Sequence, residues 1–279
     1  MVSAGSLEVP LAMQPARAGG KARPSVFLPK EHGSWSLAFE PLTLGLLVAP
    51  TAAGTALAVA AASVFFARRP SKAVLAEATR GPVGSRLAAT LLTLCAATGI
   101  AEAMVLGRPA LLWPLLFAAP LGGLYLFFDL QNSARAASAE LAGATAFALL
   151  SAAIATLAGW SPISSLSLVA IMVARTVPTV IAVRNTVRLK KLQDVSRTAP
   201  VAAAAAAFLL LAALASLSLV PWIAAALALL LVARAVFLAA PSGMRLSARR
   251  IGTIEAALGV LYVAGTYLGY RIWHFPGAS

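Results

Sequence analysis

Four charged side chains lie deep within long apolar segments of this sequence, away from the segment ends, where a charge is costly unless it is paired or used. These residues are Glu40, Arg175, Arg234 and Glu255. A rise of about 1.5 Å per helical residue, counted from the more basic end of each segment, places all four roughly one-third of the way into a bilayer. Two carboxylates and two guanidinium groups could neutralise one another. We predict that Arg234 and Glu255 form a structural ion pair, with a functional role as the alternative.

The first apolar segment opens with the residues Pro-Lys-Glu-His-Gly-Ser-Trp at positions 29–35. If this segment is helical, His32, Ser36 and Glu40 repeat every four residues and share one face. An imidazole, a hydroxyl and a carboxylate in one line could pass a proton. We therefore predict His32 and Glu40 as candidate catalytic, proton-handling residues. The alternative is a helix cap, in which Glu31 favours the helix N-terminus and His32 is solvated.

Arginines near the charged ends of the segments could bind an anion, because guanidinium groups hold phosphate oxygens with two hydrogen bonds. Arg175 lies deepest, and Pro178 beside it is expected to kink the helix and free carbonyl groups. The basic residues nearer the membrane surface equally suit anionic lipid headgroups. We predict the following ligand-binding arginines: Arg175, Arg184, Arg188, Arg68 and Arg69.

The composition is that of a membrane protein, since 60% of the residues are apolar and only 11% are charged. Soluble domains carry roughly a quarter charged residues. The net charge of +13 could suggest nucleic acid, but the basic residues gather in alternate connections, as orientation in a membrane requires. We expect no nucleic-acid partner. We predict an all-α bundle of nine transmembrane helices: 34–49, 52–67, 87–106, 110–128, 140–159, 163–183, 199–219, 222–240 and 251–271.

Charge decides the predicted orientation. With nine crossings, nearly all arginines and lysines face one side, and only Arg108 and Arg271 face the other. This distribution predicts a bacterial inner-membrane protein with a cytosolic N-terminus and an external C-terminus. Residues 1–30 are expected to form a disordered basic cytosolic tail, and residues 31–275 the transmembrane domain. An alternative treats residues 42–67 as one tilted helix.

Two sequence motifs resemble the signatures of the YwiC-like family of bacterial membrane proteins. The first is the stretch 29–35, and the second is Arg-Thr-Val-Pro-Thr at 175–179 with the arginines that follow it. Residues 140–143 and 250–255 fit as well, and the similarity covers roughly residues 27–272. The family has no settled biochemical role, so the resemblance implies a location rather than a reaction.

A more distant resemblance is to the UbiA-type prenyltransferases, which are nine-helix bundles whose cytosolic 2–3 and 6–7 loops hold the active site. The basic stretches 68–86 and 184–198 occupy those places here. Those enzymes bind magnesium diphosphate through aspartate-rich motifs, whereas these stretches offer only Glu77 and Asp194. We therefore expect neither a metal nor another cofactor, and leave open whether the protein is an enzyme.

The leading hypothesis is a UbiA-like bundle that binds an amphipathic anion, such as a prenyl phosphate or a quinone precursor, in a cytosol-facing cavity. Its expected partners are this small molecule and membrane lipids. A transporter of a small anion or weak acid is the first alternative, because Pro41 and Pro178 could mark interrupted helices. A non-catalytic subunit of a membrane complex is the second.

Overall fold

The computed structural model describes residues 32–76, 83–134, 136–240, 243 and 245–273. The predicted tail, residues 1–30, lies outside them. Within these ranges the protein is all-helical, with nine α-helices and one short 3-10 helix, Pro109–Leu112. The α-helices are α1 His32–Val48, α2 Ala52–Ala76, α3 Val83–Leu106, α4 Leu115–Leu130, α5 Ala137–Leu157, α6 Pro162–Lys190, α7 Ala199–Ser216, α8 Trp222–Ala239 and α9 Ala248–Ile272.

Each predicted segment overlaps one of these helices, and residues 42–67 do not form a single helix. The first helix ends at Val48 and the second begins at Ala52. Pro50 stands between them, where it cannot donate a backbone hydrogen bond. Thr51 then caps α2, because its hydroxyl oxygen accepts a hydrogen bond from the Gly54 amide at 3.0 Å. Proline followed by a capping residue therefore separates the two helices.

Two helices extend further than predicted, which changes the setting of the basic residues. The second helix continues through Pro70 to Ala76, so Arg68 and Arg69 lie on it. The first part of the basic stretch 68–86 is therefore a continuation of α2. The sixth helix likewise continues to Lys190 and includes Arg184 and Arg188. Side chains on rigid helices have restricted directions, which matters for any shared site.

Six helices, α3 and α5 to α9, are long and apolar enough to cross a membrane. The apolar helices Trp35–Val48 and Leu115–Leu130 are shorter. The fourth helix begins later than predicted because a 3-10 turn and Pro114 precede it. These lengths and compositions define a multi-pass membrane protein, while nine crossings and their orientation stay predictions.

The core lies around α5 and α6. The fifth helix packs against α1, α2, α4 and α6, and the sixth also contacts α7, α8 and α9. Apolar residues from α1 and from α5 to α9 form one buried cluster, and residues from α1, α2, α3 and α5 form another. Alanine and glycine allow close approach, as at Gly99 on α3, where a Cβ would meet the Ala56 carbonyl oxygen at 2.7 Å. This packing brings α1, α6, α8 and α9 side by side.

Candidate functional site

The four charged residues inside the bundle form one contacting group, which we call the charge cluster: Glu40 on α1, Arg175 on α6, Arg234 on α8 and Glu255 on α9. Arg175 lies between the carboxylates, with Nε 3.5 Å from Glu40 Oε2 and Nη1 3.5 Å from Glu255 Oε2. Arg234 Nε donates to Glu255 Oε1 at 2.6 Å, and its Nη2 contacts the same oxygen. All four are 2–9% exposed. Two carboxylates and two guanidinium groups give the ionised cluster a net charge of zero, and this charge balance offsets the cost of burial.

Backbone and hydroxyl groups hold the cluster in place. Arg175 Nη2 donates to the Glu255 carbonyl oxygen at 3.0 Å, and Nη1 contacts the Thr179 hydroxyl. On α1, the Ser36 hydroxyl contacts Glu40 Oε1, so the predicted four-residue spacing places these two side chains together. The ninth helix leaves room for Glu40 only because residue 259 is glycine. A Cβ there would overlap Glu40 Oε1 and lie 2.7 Å from its Cδ atom.

Hydrogen bonding within the charge cluster is incomplete. Arg175 Nε, Arg234 Nη1 and Glu255 Oε2 are buried and have no hydrogen-bond partner among the described residues. The 3.5 Å separations from Arg175 to the carboxylates are ion pairs rather than good hydrogen bonds. Buried charged groups normally satisfy their hydrogen bonds, because an unsatisfied one costs about 1–3 kcal/mol or more. Two donors and one acceptor are therefore available to a polar ligand or water.

The other predicted arginines are not at the charge cluster. Nine residues, about two and a half turns, separate Arg175 from Arg184, so they face opposite sides of α6. Arg184 Nη1 donates to Glu140 Oε2 on α5 at 2.9 Å. Arg68 contacts the Tyr125 hydroxyl on α4, and its guanidinium carbon is 5.0 Å from the centre of that ring. The predicted ligand-binding set is thus divided between two places.

Of the remaining candidate site residues, two lie at the periphery of the bundle and one has a side chain that the structure does not describe. Arg188 is exposed near the end of α6, and Arg69 is half-buried on α2. His32 begins α1, but its side chain is outside the described part of the molecule. Next to Arg68 on α2, Lys72 contacts Asp129 on α4, with Nζ 2.5 Å from the carbonyl oxygen and 3.6 Å from Oδ1. The contacts of Arg68 and Lys72 therefore join α2 to α4, and the contact of Arg184 joins α6 to α5.

A small cleft opens between α6, α7 and α8, and its lining includes none of the four charge-cluster residues. Asn185, Thr186 and Arg197 line its polar side, and Pro200 and Leu238 its apolar side. In the part of the chain that the structure describes, no three histidine, cysteine or acidic side chains converge closely enough to hold a metal ion.

The helical bundle and its buried, charge-balanced cluster define a multi-pass α-helical membrane protein. The model of the YwiC-like protein family matches residues 28–155, a little under half of the chain. This match confirms the resemblance predicted from the motif at 29–35, and it covers α1 to nearly the end of α5. No curated protein and no solved structure matches the chain. The distant similarity to UbiA-type prenyltransferases stays a prediction.

Sequence reasoning missed the residues that make the cluster possible. Gly259 follows Glu255 by four residues and therefore shares its face of α9, but a glycine in a membrane helix is too common to single out. Glu140 belongs to the stretch 140–143 noted for its resemblance to the family, and the sequence did not connect it with Arg184. Its contact with Arg184 depends on how α5 and α6 pack, and no spacing within either helix carries that information.

Proposed function

We propose that this protein binds an amphipathic anion in the bacterial inner membrane, with the acidic head group in the charge cluster and the apolar tail between the helices. The proposal includes nine crossings and a cytosolic N-terminus, so that the cluster lies nearer the cytosolic face. Arg175 is the principal head-group ligand. Arg184, Arg188, Arg68 and Arg69 lie outside this head-group site.

The proposal rests on three buried hydrogen-bonding atoms that have no partner among the residues the structure describes, in an otherwise well-packed region. Arg175 Nε and Arg234 Nη1 can donate, and Glu255 Oε2 can accept. A purely structural pair of salt bridges would gain most by satisfying every donor and acceptor. A site for a polar group must instead keep some of them available.

The two guanidinium donors and the carboxylate acceptor favour a ligand whose acidic head group still carries a proton. Such a group accepts hydrogen bonds from the two guanidinium groups through one oxygen and donates to Glu255 Oε2 through another. A singly protonated phosphate has both kinds of oxygen, and so has a carboxylic acid. A fully ionised group would repel the two carboxylates. Prenyl phosphates and quinone precursors with an acid group combine this chemistry with an apolar body.

Transport of a small anion or weak acid is the second candidate. It uses the same head-group chemistry, and it is favoured by a line of buried hydroxyl groups that runs from the charge cluster along α6 and α9. Proteoliposome uptake separates the two, because a protein that only binds its ligand moves none across the bilayer.

Binding of geranylgeranyl diphosphate to the purified protein, measured by titration calorimetry, tests the proposal. The informative variant carries both Glu40→Gln and Arg175→Gln, which removes one charge of each sign and avoids an unpaired buried charge. We expect this variant to lose affinity by about tenfold or more, since a charged hydrogen bond is worth about 1.5–3 kcal/mol. Inorganic diphosphate and geranylgeraniol, used as competitors, report on the head group and the tail separately.

The matched control is the double variant Glu140→Gln and Arg184→Gln. It removes the ion pair on the opposite face of α6 and should bind like the unaltered protein. Equal affinity of the unaltered protein and the Glu40/Arg175 variant, with both folded, contradicts the proposed site. Loss of binding in the control variant alone would move the site to the other face of α6.

A further inference from the structure

We propose that buried hydroxyl groups between α6 and α9 carry protons between the charge cluster and the opposite end of the bundle. This inference rests on the proposed function, because a neutral cluster that takes up an anion must also gain a proton. The hydroxyl stripe, as we name it, consists of Tyr262, Thr266 and Tyr270 on α9 and Ser167 on α6. All four are buried, with exposures of 5% or less.

The stripe follows from helical spacing. On α9, Glu255, Gly259, Tyr262, Thr266 and Tyr270 are separated by three or four residues and therefore share one face. From Glu255 to Tyr270 this face extends about 22 Å along the axis, most of the thickness of a bilayer core.

Contacts between α6 and α9 join the stripe at three levels. The Glu255 carbonyl oxygen binds Arg175 at the charge cluster. The Tyr262 hydroxyl donates to the Ile171 carbonyl oxygen at 3.1 Å, one turn further along α6. The Ser167 and Tyr270 hydroxyl oxygens are 3.3 Å apart, a further turn along. The two helices thus run antiparallel with polar groups at each turn.

The far end of the stripe reaches the surface through serines. Ser167 Oγ donates to the Ser164 carbonyl oxygen at 2.7 Å, and the hydroxyl oxygens of Ser164 and exposed Ser161 are 2.9 Å apart. The Trp160 ring packs against Tyr270 at the same end, with ring centres 5.6 Å apart and the two planes tilted by 46°. In the proposed route, solvent protons enter the stripe at these serines, at the end of the bundle remote from the charge cluster.

Thr266 supplies independent evidence for a polar ligand inside the stripe. Its hydroxyl is completely buried and has no hydrogen-bond partner among the residues described. The other buried threonines among the described residues bond to their own helix, as Thr186 does to the Ala182 carbonyl oxygen at 2.8 Å. Since buried hydroxyls require a partner, Thr266 indicates bound water between Tyr262 and Tyr270.

The proton ends on Glu40. The ionisable groups opposite this carboxylate are Arg175 on α6 and Glu255 and Tyr262 on α9, and Ser36 contacts it from its own helix. Glu255 pairs with Arg234 as well as with Arg175, whereas within the described ranges Glu40 pairs with Arg175 alone. For a proton to pass, the Tyr262 and Ser167 hydroxyls turn from the carbonyl oxygens that accept from them to a neighbouring hydroxyl or water, and each group then passes on one proton and receives another. Glu40 becomes a carboxylic acid, and Arg175 exchanges it for the incoming anion.

Proton flux into proteoliposomes containing the full chain and internal pyranine tests the stripe, with potassium and valinomycin holding the membrane potential at zero. An inward pH gradient is imposed with and without external geranylgeranyl diphosphate. We expect ligand-dependent acidification, reduced at least tenfold by Thr266→Val and by Tyr262→Phe. The matched controls Thr186→Val and Tyr267→Phe remove a hydroxyl outside the stripe and should keep the full rate.

Binding in detergent distinguishes the two proposals. Acidification without ligand that is equally sensitive to Thr266→Val and Tyr262→Phe also supports the stripe, even if geranylgeranyl diphosphate does not bind. Intact binding with no protein-dependent acidification overturns the stripe and leaves the proposed function standing. Equal rates in Thr266→Val, Tyr262→Phe and the controls overturn it as well.

Discussion

At the scale of single residues, the cluster depends on Arg175, which opposes two carboxylates from two helices. Its burial means that neither acid can be removed without leaving charge uncompensated in a region of low dielectric constant. Gly259 completes the arrangement, because its missing side chain provides the space that the Glu40 carboxylate occupies. The geometry of the charge cluster therefore depends on Gly259 as well as on the four charged residues.

Replacement of Gly259 by alanine should destabilise the protein by about 1–3 kcal/mol, the usual cost of inserting a methyl group into a filled core. The new Cβ would overlap Glu40 and lie 3.2 Å from Ser36 Oγ. Thermal unfolding in detergent measures the effect. Gly252→Ala, on the same helix with nothing within 4 Å of its Cβ, serves as the control and should be neutral or stabilising. Equal midpoints for both variants would argue against the packing of Glu40 on α9.

Arg234 and Glu255 should be energetically coupled. Arg234→Gln and Glu255→Gln each leave an unpaired buried charge, at a cost of about 3–5 kcal/mol. The double variant keeps the neutral pair of Glu40 and Arg175, so we expect it to recover more than half of this loss. A double-mutant cycle from unfolding free energies yields the coupling, expected at about 2 kcal/mol or more. Strict additivity of the two single effects would exclude a structural ion pair.

At the scale of helices, the ends of α2 and α6 are fastened by side chains that were predicted to bind ligand. Arg68 lies 4.3 Å from the centre of the Phe65 ring and contacts Tyr125 on α4, whose ring packs on Gly143 of α5. Arg184 joins α6 to the first turn of α5 through Glu140. Guanidinium groups that stack on rings and pair with acids are well suited to join helices. Both contacts lie near the N-terminal end of α5.

Substitutions of Tyr125 should separate the two parts of its contact with Arg68. Tyr125→Phe removes the hydroxyl but keeps the ring, so we expect a loss of about 1 kcal/mol, typical of one hydrogen bond. Tyr125→Ala also removes the ring and its cation–π contact and should cost about 3 kcal/mol or more. Unfolding free energies provide the comparison. A phenylalanine variant as unstable as the alanine variant would contradict a main contribution from the ring.

At the scale of the whole molecule, the predicted orientation places the basic C-terminal ends of α2 and α6 in the cytosol. The inner connections would then carry most of the positive charge, and the charge cluster would open towards the same side. The hydroxyl stripe would lead from this cluster to the external face, where the exposed Ser161 begins the connection into α6. The direction of any proton flow therefore depends on the number of crossings.

Cysteine accessibility tests that number. In a Cys95→Ser background, we expect Gly84→Cys and Ser196→Cys to react with an impermeant maleimide only after spheroplasts are lysed. Ser161→Cys and Ser218→Cys should react in intact spheroplasts. All four positions lie at or near helix ends, and the three serines are exposed there. Labelling of the Gly84 and Ser196 positions from opposite sides would refute nine crossings with this orientation.

The sequence by itself determined the class of protein and the level of the four buried charges along their helices. Both are properties of distance along the chain: the length of an apolar run, the side on which basic residues gather, and the rise per residue. Only the tertiary structure decided that Arg175 contacts Glu40 and Glu255 while Arg184 turns to Glu140. Position along a helix says at what level a side chain lies. Its partners depend on the rotation and neighbours of that helix, which are set by packing between segments far apart in sequence.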